Sequence, residues 1–118
     1  MPVRLKRVYD EPGPEDGRRV LVDRLWPRGL SKERARVDEW LRELGPSTEL
    51  RKWFGHEVSR WEEFRAHYRA ELDAPDQQER LAHLHELARK GTVTLLFGAK
   101  DPEHNQAVVV AEALAAPD

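Results

Sequence analysis

Two arginines and a tryptophan follow an apolar run within the stretch VDRLWPRGL (22–30). The guanidinium groups of Arg24 and Arg28 can each bind a carboxylate or a phosphate through two parallel hydrogen bonds. Trp26 lies between them and can stack on a planar ligand or pack against the core. This pattern predicts a small anion-binding site. Pairing of Arg24 with Asp23, or with an acid on a neighbouring element, is the structural alternative.

A second polar cluster lies in GAKDPEHN (98–105). Lys100 can reach a bound anion, and Asn105 can both donate and accept hydrogen bonds, which suits the orientation of a polar ligand. Asp101 and the proline after it are typical of a helix start. His104 would then lie in the first helical turn, where the helix dipole favours the neutral imidazole. We therefore interpret His104 and Asp101 as the candidate catalytic pair for proton transfer, with helix capping as the alternative role of Asp101.

Other catalytic chemistries lack their residues in this sequence. The chain has no cysteine. His83 and His85 are two residues apart on a predicted helix and therefore point in different directions. No histidine pair has the spacing of metal ligands. Known phosphate loops and the serine-hydrolase elbow are also missing. Ser47 and Ser59 are better explained as helix caps than as nucleophiles. We expect neither a metal nor a cofactor.

The strands that must position these residues follow from apolar runs. Residues 18–23 predict a strand that is buried on both faces, as in a parallel sheet. Residues 92–98 predict the strongest strand of the chain, because they are β-branched, aromatic and almost uncharged. Residues 3–9 predict an edge strand, and the loop at 10–17 is expected to be exposed. Residues 37–41 fit either a strand or a helix, and we interpret them as a short strand.

Helix starts are predicted from capping patterns. Ser31 and Ser47 each precede a short helical segment, and the Ser59/Glu62 and Asp76/Glu79 pairs are typical of capping boxes. The predicted helices cover residues 32–35, 48–54, 60–73, a segment that ends at Lys90 before Gly91, and 103–115. In the third of these, an apolar stripe is formed by Trp61, Phe64, Tyr68 and Leu72.

Strands separated by helices predict one α/β domain over residues 1–118, a small layered domain with a mostly parallel sheet flanked by helices. The strands at 18–23 and 92–98 are expected to be parallel and adjacent, or one strand apart. Ligands bind beyond the carboxyl ends of such strands. Arg24 and Arg28 should therefore lie near Lys100–Asn105.

Composition limits the partners. The net charge is -2, and the isoelectric point is near 6.2, which is unlike a general nucleic-acid binder. No apolar run approaches the roughly 20 residues of a membrane helix, and the N-terminal residues lack a secretory signal, so a cytoplasmic protein without membrane contact is expected. The oligomeric state stays open.

Two alternatives to a small-anion site remain. A nucleic-acid-associated or regulatory module without catalytic activity would use a basic surface, and an interaction domain without chemistry would use tryptophans to build its core and its contact surface. Their candidate residues are Arg18, Arg19, Arg34 and Arg36 for the former and Trp40, Trp53 and Trp61 for the latter.

Five segments carry a resemblance to a known family: RVYD (7–10), VDRLWPRGLSKE (22–33), LGPSTELRKWFGH (44–56), RWEEFRAHYRAEL (60–72) and TLLFGAKDPEHNQAVV (94–109). The chain resembles domain-of-unknown-function family 488 (DUF 488), in particular its YeaO-like branch. The resemblance implies an α/β fold and a cytoplasmic protein, and it assigns no reaction. Other branches carry a Cys-His-Arg group at the second strand end, which this cysteine-free chain lacks.

Overall fold

The sheet consists of four parallel strands. The computed structural model describes residues 3–115, with β1 (Val3–Arg7), β2 (Arg18–Leu21), β3 (Glu39–Trp40) and β4 (Val93–Phe97) in the order β1-β4-β2-β3. β2 and β4 are parallel neighbours, with Leu21 opposite Leu96. The predicted α/β class and the pairing of the two most apolar strands are both confirmed.

Five α-helices accompany the sheet in the described residues: α1 (Lys32–Ala35), α2 (Thr48–Phe54), α3 (Trp61–Glu71), α4 (Pro75–Lys90) and α5 (Gln106–Ala115). Short 3-10 turns occur at Pro14–Asp16, Arg42–Leu44 and Val58–Arg60. Helices α2 to α5 contribute to one large core over one sheet face, whereas the segment around α1 covers the other face.

Alternation along β4 distributes its side chains between the two cores. Leu95 and Phe97 join the large core, whereas Leu96 joins the small one with Leu21. All five residues of β4 are buried, which explains why this strand is almost uncharged. The predicted stripe on α3 is buried in the large core as well, so its apolar periodicity is confirmed.

Serine caps are confirmed at two helix starts and absent at a third. The hydroxyls of Ser31 and Ser47 accept hydrogen bonds from the backbone N–H groups of Arg34 and Leu50, each at 3.2 Å. The predicted Ser59 cap is wrong, because Ser59 lies inside a 3-10 turn and α3 starts without a side-chain cap.

The α4 and α5 starts also differ from the prediction. Pro75 is the first residue of α4, so Asp76 lies inside the first turn and does not cap it. Residues 102–105 form bends, and Asp101 accepts a hydrogen bond from the Glu103 N–H at 2.9 Å. Helix α5 begins at Gln106, after Asn105, whose Oδ1 accepts from the Val108 N–H at 3.3 Å. His104 therefore precedes the helix.

A buried ionic cluster fixes the amino ends of the strands. Most of the loop at 10–17 is exposed, as predicted, and Asp16 is the exception. Asp16 is buried and accepts hydrogen bonds from Arg19 at 2.5 Å, from Lys6 at 3.2 Å and from the Gly13 N–H at 3.0 Å. Burial alone would raise the pKa of Asp16, but these hydrogen bonds outweigh it and hold the pKa below its ordinary value. Arg19 is only 4% exposed, so it does not belong to a basic surface.

Candidate functional site

A cavity of about 270 Å³ lies beyond the carboxyl ends of β2 and β4. Its wall includes residues from the loop after β2, from α2 and from the turn after β4. Among the residues predicted from sequence, Arg24 and Trp26 line it. This is the edge at which parallel sheets commonly hold ligands.

Asp23 is the acidic residue of the described cavity wall. Its Oδ2 accepts a hydrogen bond from the Gly98 N–H at 2.8 Å, and its Oδ1 accepts one from the side-chain amide of Gln106. Burial raises the pKa of Asp23 to about 6, although both of these hydrogen bonds act to lower it. The carboxyl group therefore changes charge close to neutral pH.

Arg24 is held by backbone carbonyls. Its Nε donates to the Pro46 carbonyl at 2.9 Å, and its Nη2 donates to the Gly45 carbonyl at 2.8 Å. Within residues 3–115 it forms no ion pair, so the alternative in which an acid neutralises it does not occur there. Carbonyl groups carry no net charge, and Arg24 thus brings a positive charge to the cavity wall.

Arg51 brings a second positive charge, from α2. In the described part of the chain its guanidinium has neither a hydrogen-bond partner nor a counter-ion, and its Nε is buried without a partner. A buried donor left unpaired costs about 1–3 kcal/mol. An anion bound in the cavity would remove this cost.

His56 follows the end of α2 and also lines the cavity. Its φ of 60° lies in the left-handed region, directly after Gly55 at 51°. This backbone conformation is uncommon for residues other than glycine, although histidine is among the more tolerant types. It turns the chain sharply and places the imidazole at the cavity, with its ring centroid 6.1 Å from that of Phe54.

Trp26 both lines the cavity and packs against the small core. Its Nε1 donates to the Leu30 carbonyl at 2.7 Å, and its ring meets Trp40 edge-on at 5.4 Å between centroids. Arg28 and Lys100 are exposed and lie outside the cavity wall. Their predicted contact with a ligand stays a prediction.

Asp101, His104 and Asn105 form a hydrogen-bonded turn that is not part of the cavity wall and directly precedes Gln106, which is. Oδ2 of Asp101 lies 2.8 Å from Nδ1 of His104. The backbone carbonyl of Asp101 accepts a hydrogen bond from the side-chain amide of Asn105 at 2.8 Å. The His104 ring contacts Trp61 edge-on, with centroids 5.3 Å apart. A role of this group in proton transfer or ligand orientation stays a prediction.

The model of a protein family described as "Inactive DUF488-N3 subclade" matches residues 2–117 of the chain. The chain belongs to this family. It is 48% identical over 113 residues to "Uncharacterized protein YeaO" of Escherichia coli, covering 95% of this chain and 96% of that protein. It is 39% identical over 112 residues to "Uncharacterized protein Rv3073c" of Mycobacterium tuberculosis, covering 95% of this chain and 92% of that protein. No solved structure matches significantly.

Asp23, Arg51 and His56 of this DUF488 protein line the cavity but were not predicted as site residues. Asp23 was considered only as a partner for Arg24, and His56 as a helix-end cation. Arg51 lies in RKWFGH (51–56), where basic residues in the last turn of a helix are typical of a solvated surface. Only the packing of α2 over the sheet edge distinguishes Arg51 from a surface charge.

Two further findings concern residues 3–115 of the DUF488 chain. No group of three or more histidine, aspartate or glutamate side chains there is arranged to hold a metal ion. No helix in that range is both long enough and apolar enough to cross a membrane.

Proposed function

We propose that this DUF488 protein binds a small anion, bearing a phosphate or a carboxylate group, in the cavity beyond β2 and β4. The observation that carries the proposal is the guanidinium of Arg51, which lines the cavity and has no partner among the described residues. A guanidinium fork matches phosphate and carboxylate oxygens with two hydrogen bonds. The ligand would provide the missing acceptors.

The charge of the cavity wall favours an anion as well. Arg24 and Arg51 remain charged at all physiological pH values, and one carboxyl group, Asp23, opposes them. Because the pKa of Asp23 is raised to about 6, part of its population is neutral in mildly acidic solution. The wall is therefore net positive.

We propose binding without turnover as the function of this site. The subclade to which the chain belongs is described as inactive, which supports the absence of turnover at this site. If turnover of any ligand is measured, Asp101 and His104 are the candidate pair for proton transfer. We also propose that the protein acts in the cytoplasm, which subcellular fractionation tests.

The test is calorimetric titration of phosphate, sulfate, acetate and succinate into wild type and two arginine variants. Arg51→Met removes the unpaired cation, and a lost charge-assisted hydrogen bond should weaken binding ~10- to 100-fold. Arg89→Met is the matched control, because Arg89 is 76% exposed and pairs with Glu86 on its own helix. Failure of all four anions to bind wild type, or equal binding by Arg51→Met, would overturn the proposal.

A further inference from the structure

The cavity offers more space than an inorganic anion fills. Its volume of about 270 Å³ is several times the volume of one water molecule in the liquid, which is about 30 Å³. A phosphate group in contact with Arg51 would leave most of this space unfilled. The cavity therefore has room for a part of the ligand other than the charged group.

The cavity wall also has an apolar part that is rich in aromatic rings. Phe54 and Phe64 stack with ring centroids 4.3 Å apart, and both line the cavity. Tyr9 and Trp26 supply two more aromatic side chains to the same wall. Aromatic faces of this kind pack most favourably against flat apolar groups.

Two apolar side chains of the wall are exposed. Leu25 is 57% and Tyr9 is 41% exposed, and both belong to the cavity wall. The Tyr9 hydroxyl donates to the Arg28 carbonyl at 2.9 Å, and the Arg7 guanidinium lies 5.1 Å from its ring centroid, so the ring is held in place. Exposed apolar groups around a concave opening are typical of ligand sites.

We infer that the ligand is an organic anion with a flat apolar group, such as an aromatic carboxylate or an aryl phosphate. Its charged end meets Arg51, and its apolar end covers Leu25 and Tyr9. The inference rests on the proposed anion binding and adds the class of ligand. An anion without the apolar group would leave these exposed side chains in water.

Three probes separate the charge from the ring. Benzenesulfonate carries both, methanesulfonate carries the charge alone, and benzenesulfonamide carries the ring without the charge. Calorimetry at neutral pH should give an affinity for benzenesulfonate ~10-fold or more above that for methanesulfonate, because burial of a ring removes apolar surface from water. Benzenesulfonamide should bind far more weakly than benzenesulfonate.

Leu25→Ser tests the apolar contact without touching a cation. It should weaken benzenesulfonate binding several-fold and leave methanesulfonate binding unchanged, whereas Arg51→Met should weaken both. Val58→Ser is the matched control, because Val58 is 56% exposed and lies outside the cavity wall. Thermal melts of each variant verify that it is folded.

Equal affinities for the two sulfonates, together with no effect of Leu25→Ser, would overturn the inferred ligand class and leave anion binding intact. Binding of benzenesulfonamide as tight as that of benzenesulfonate would overturn anion binding itself. Failure of both sulfonates to bind would overturn both proposals.

Discussion

The Asp23 carboxylate accepts a hydrogen bond from the backbone N–H of Gly98 at 2.8 Å, although 75 positions separate the two residues. The bond joins the loop after β2 to the turn after β4. The other carboxylate oxygen accepts from Gln106, the first residue of α5. One half-buried acid thus holds together three segments around the cavity.

The raised pKa of Asp23 predicts a pH-dependent stability. The pKa of Asp23 in the folded protein is about 6, above the ordinary value of about 3.9. The group therefore stabilises the fold fully below pH ~4, and this contribution is lost as the pH rises through 6. The free energy of unfolding should fall by ~1 kcal/mol between pH 5 and 7.5 for this reason. Urea denaturation of wild type and Asp23→Asn measures the difference.

The fall should be smaller in Asp23→Asn than in wild type. Asp76→Asn is the control, because Asp76 lies on the exposed first turn of α4. Parallel pH profiles of wild type and Asp23→Asn would contradict the assigned role of the Asp23 carboxyl group.

Anion affinity should also depend on Asp23. Ionisation of this carboxyl group places a negative charge in the wall beside Arg24 and Arg51, so benzenesulfonate should bind several-fold more weakly at pH 7.5 than at pH 5. The sulfonate itself keeps its charge over this range. Histidine side chains also titrate near neutral pH, so the calorimetric titration is repeated with two variants. His56→Gln should still bind benzenesulfonate more weakly at pH 7.5 than at pH 5. Asp23→Asn should lose most of this difference.

Replacement of Gly98 should disturb the cavity directly. A Cβ atom at this position would lie 2.9 Å from Oδ2 of Asp23, so Gly98→Ala must displace the carboxylate or the turn. We expect a loss of ~1–3 kcal/mol in unfolding free energy, as for overpacking of a well-packed site, together with weaker benzenesulfonate binding. Gly91→Ala is the matched control, since a Cβ there meets nothing within 4 Å. Unchanged stability and binding in Gly98→Ala would count against a rigid Asp23–Gly98 contact.

The Asp16 cluster at the opposite edge should affect stability and not binding. Asp16→Asn leaves Arg19 buried without its counter-ion, which should cost ~3–5 kcal/mol of unfolding free energy. Because the pKa of Asp16 is lowered, this stabilisation is present at neutral pH and is lost as the pH falls through the folded value. Glu62→Gln, which breaks a surface pair with Arg65, should cost under ~1 kcal/mol. A comparable effect of both variants in urea denaturation would contradict the buried ion pair.

Much of the fold could be predicted from the sequence, because its strongest features are local. The apolar run of β4 and the stripe of α3 each report burial through their own periodicity. Helix starts were less predictable. Asp101 and Pro102 satisfy the capping pattern, yet the Asp101 carboxylate hydrogen-bonds to the Glu103 N–H and to the His104 ring. Helix α5 therefore begins only after Asn105, whose side chain accepts from the Val108 N–H. Capping patterns do not reveal which of two competing local hydrogen bonds forms.

The candidate site was only partly predictable. Arg24 follows a core strand, and this position alone indicates the carboxyl edge of the sheet. Arg51 carries no such indication, because it lies on an amphipathic helix whose placement depends on tertiary packing. The role of Asp23 was hidden for a similar reason, since its partners Gly98 and Gln106 are distant in sequence.

The most direct measurement follows the Nε–H resonance of Arg51 by NMR while benzenesulfonate is added to the wild-type protein. We predict that this resonance shifts until it saturates, and that the dissociation constant fitted to the shift equals the one measured by calorimetry. The Arg89 resonance should not shift. A saturating calorimetric signal with an unmoved Arg51 resonance, and with shifts instead at Arg28 or Lys100, would contradict binding in the cavity.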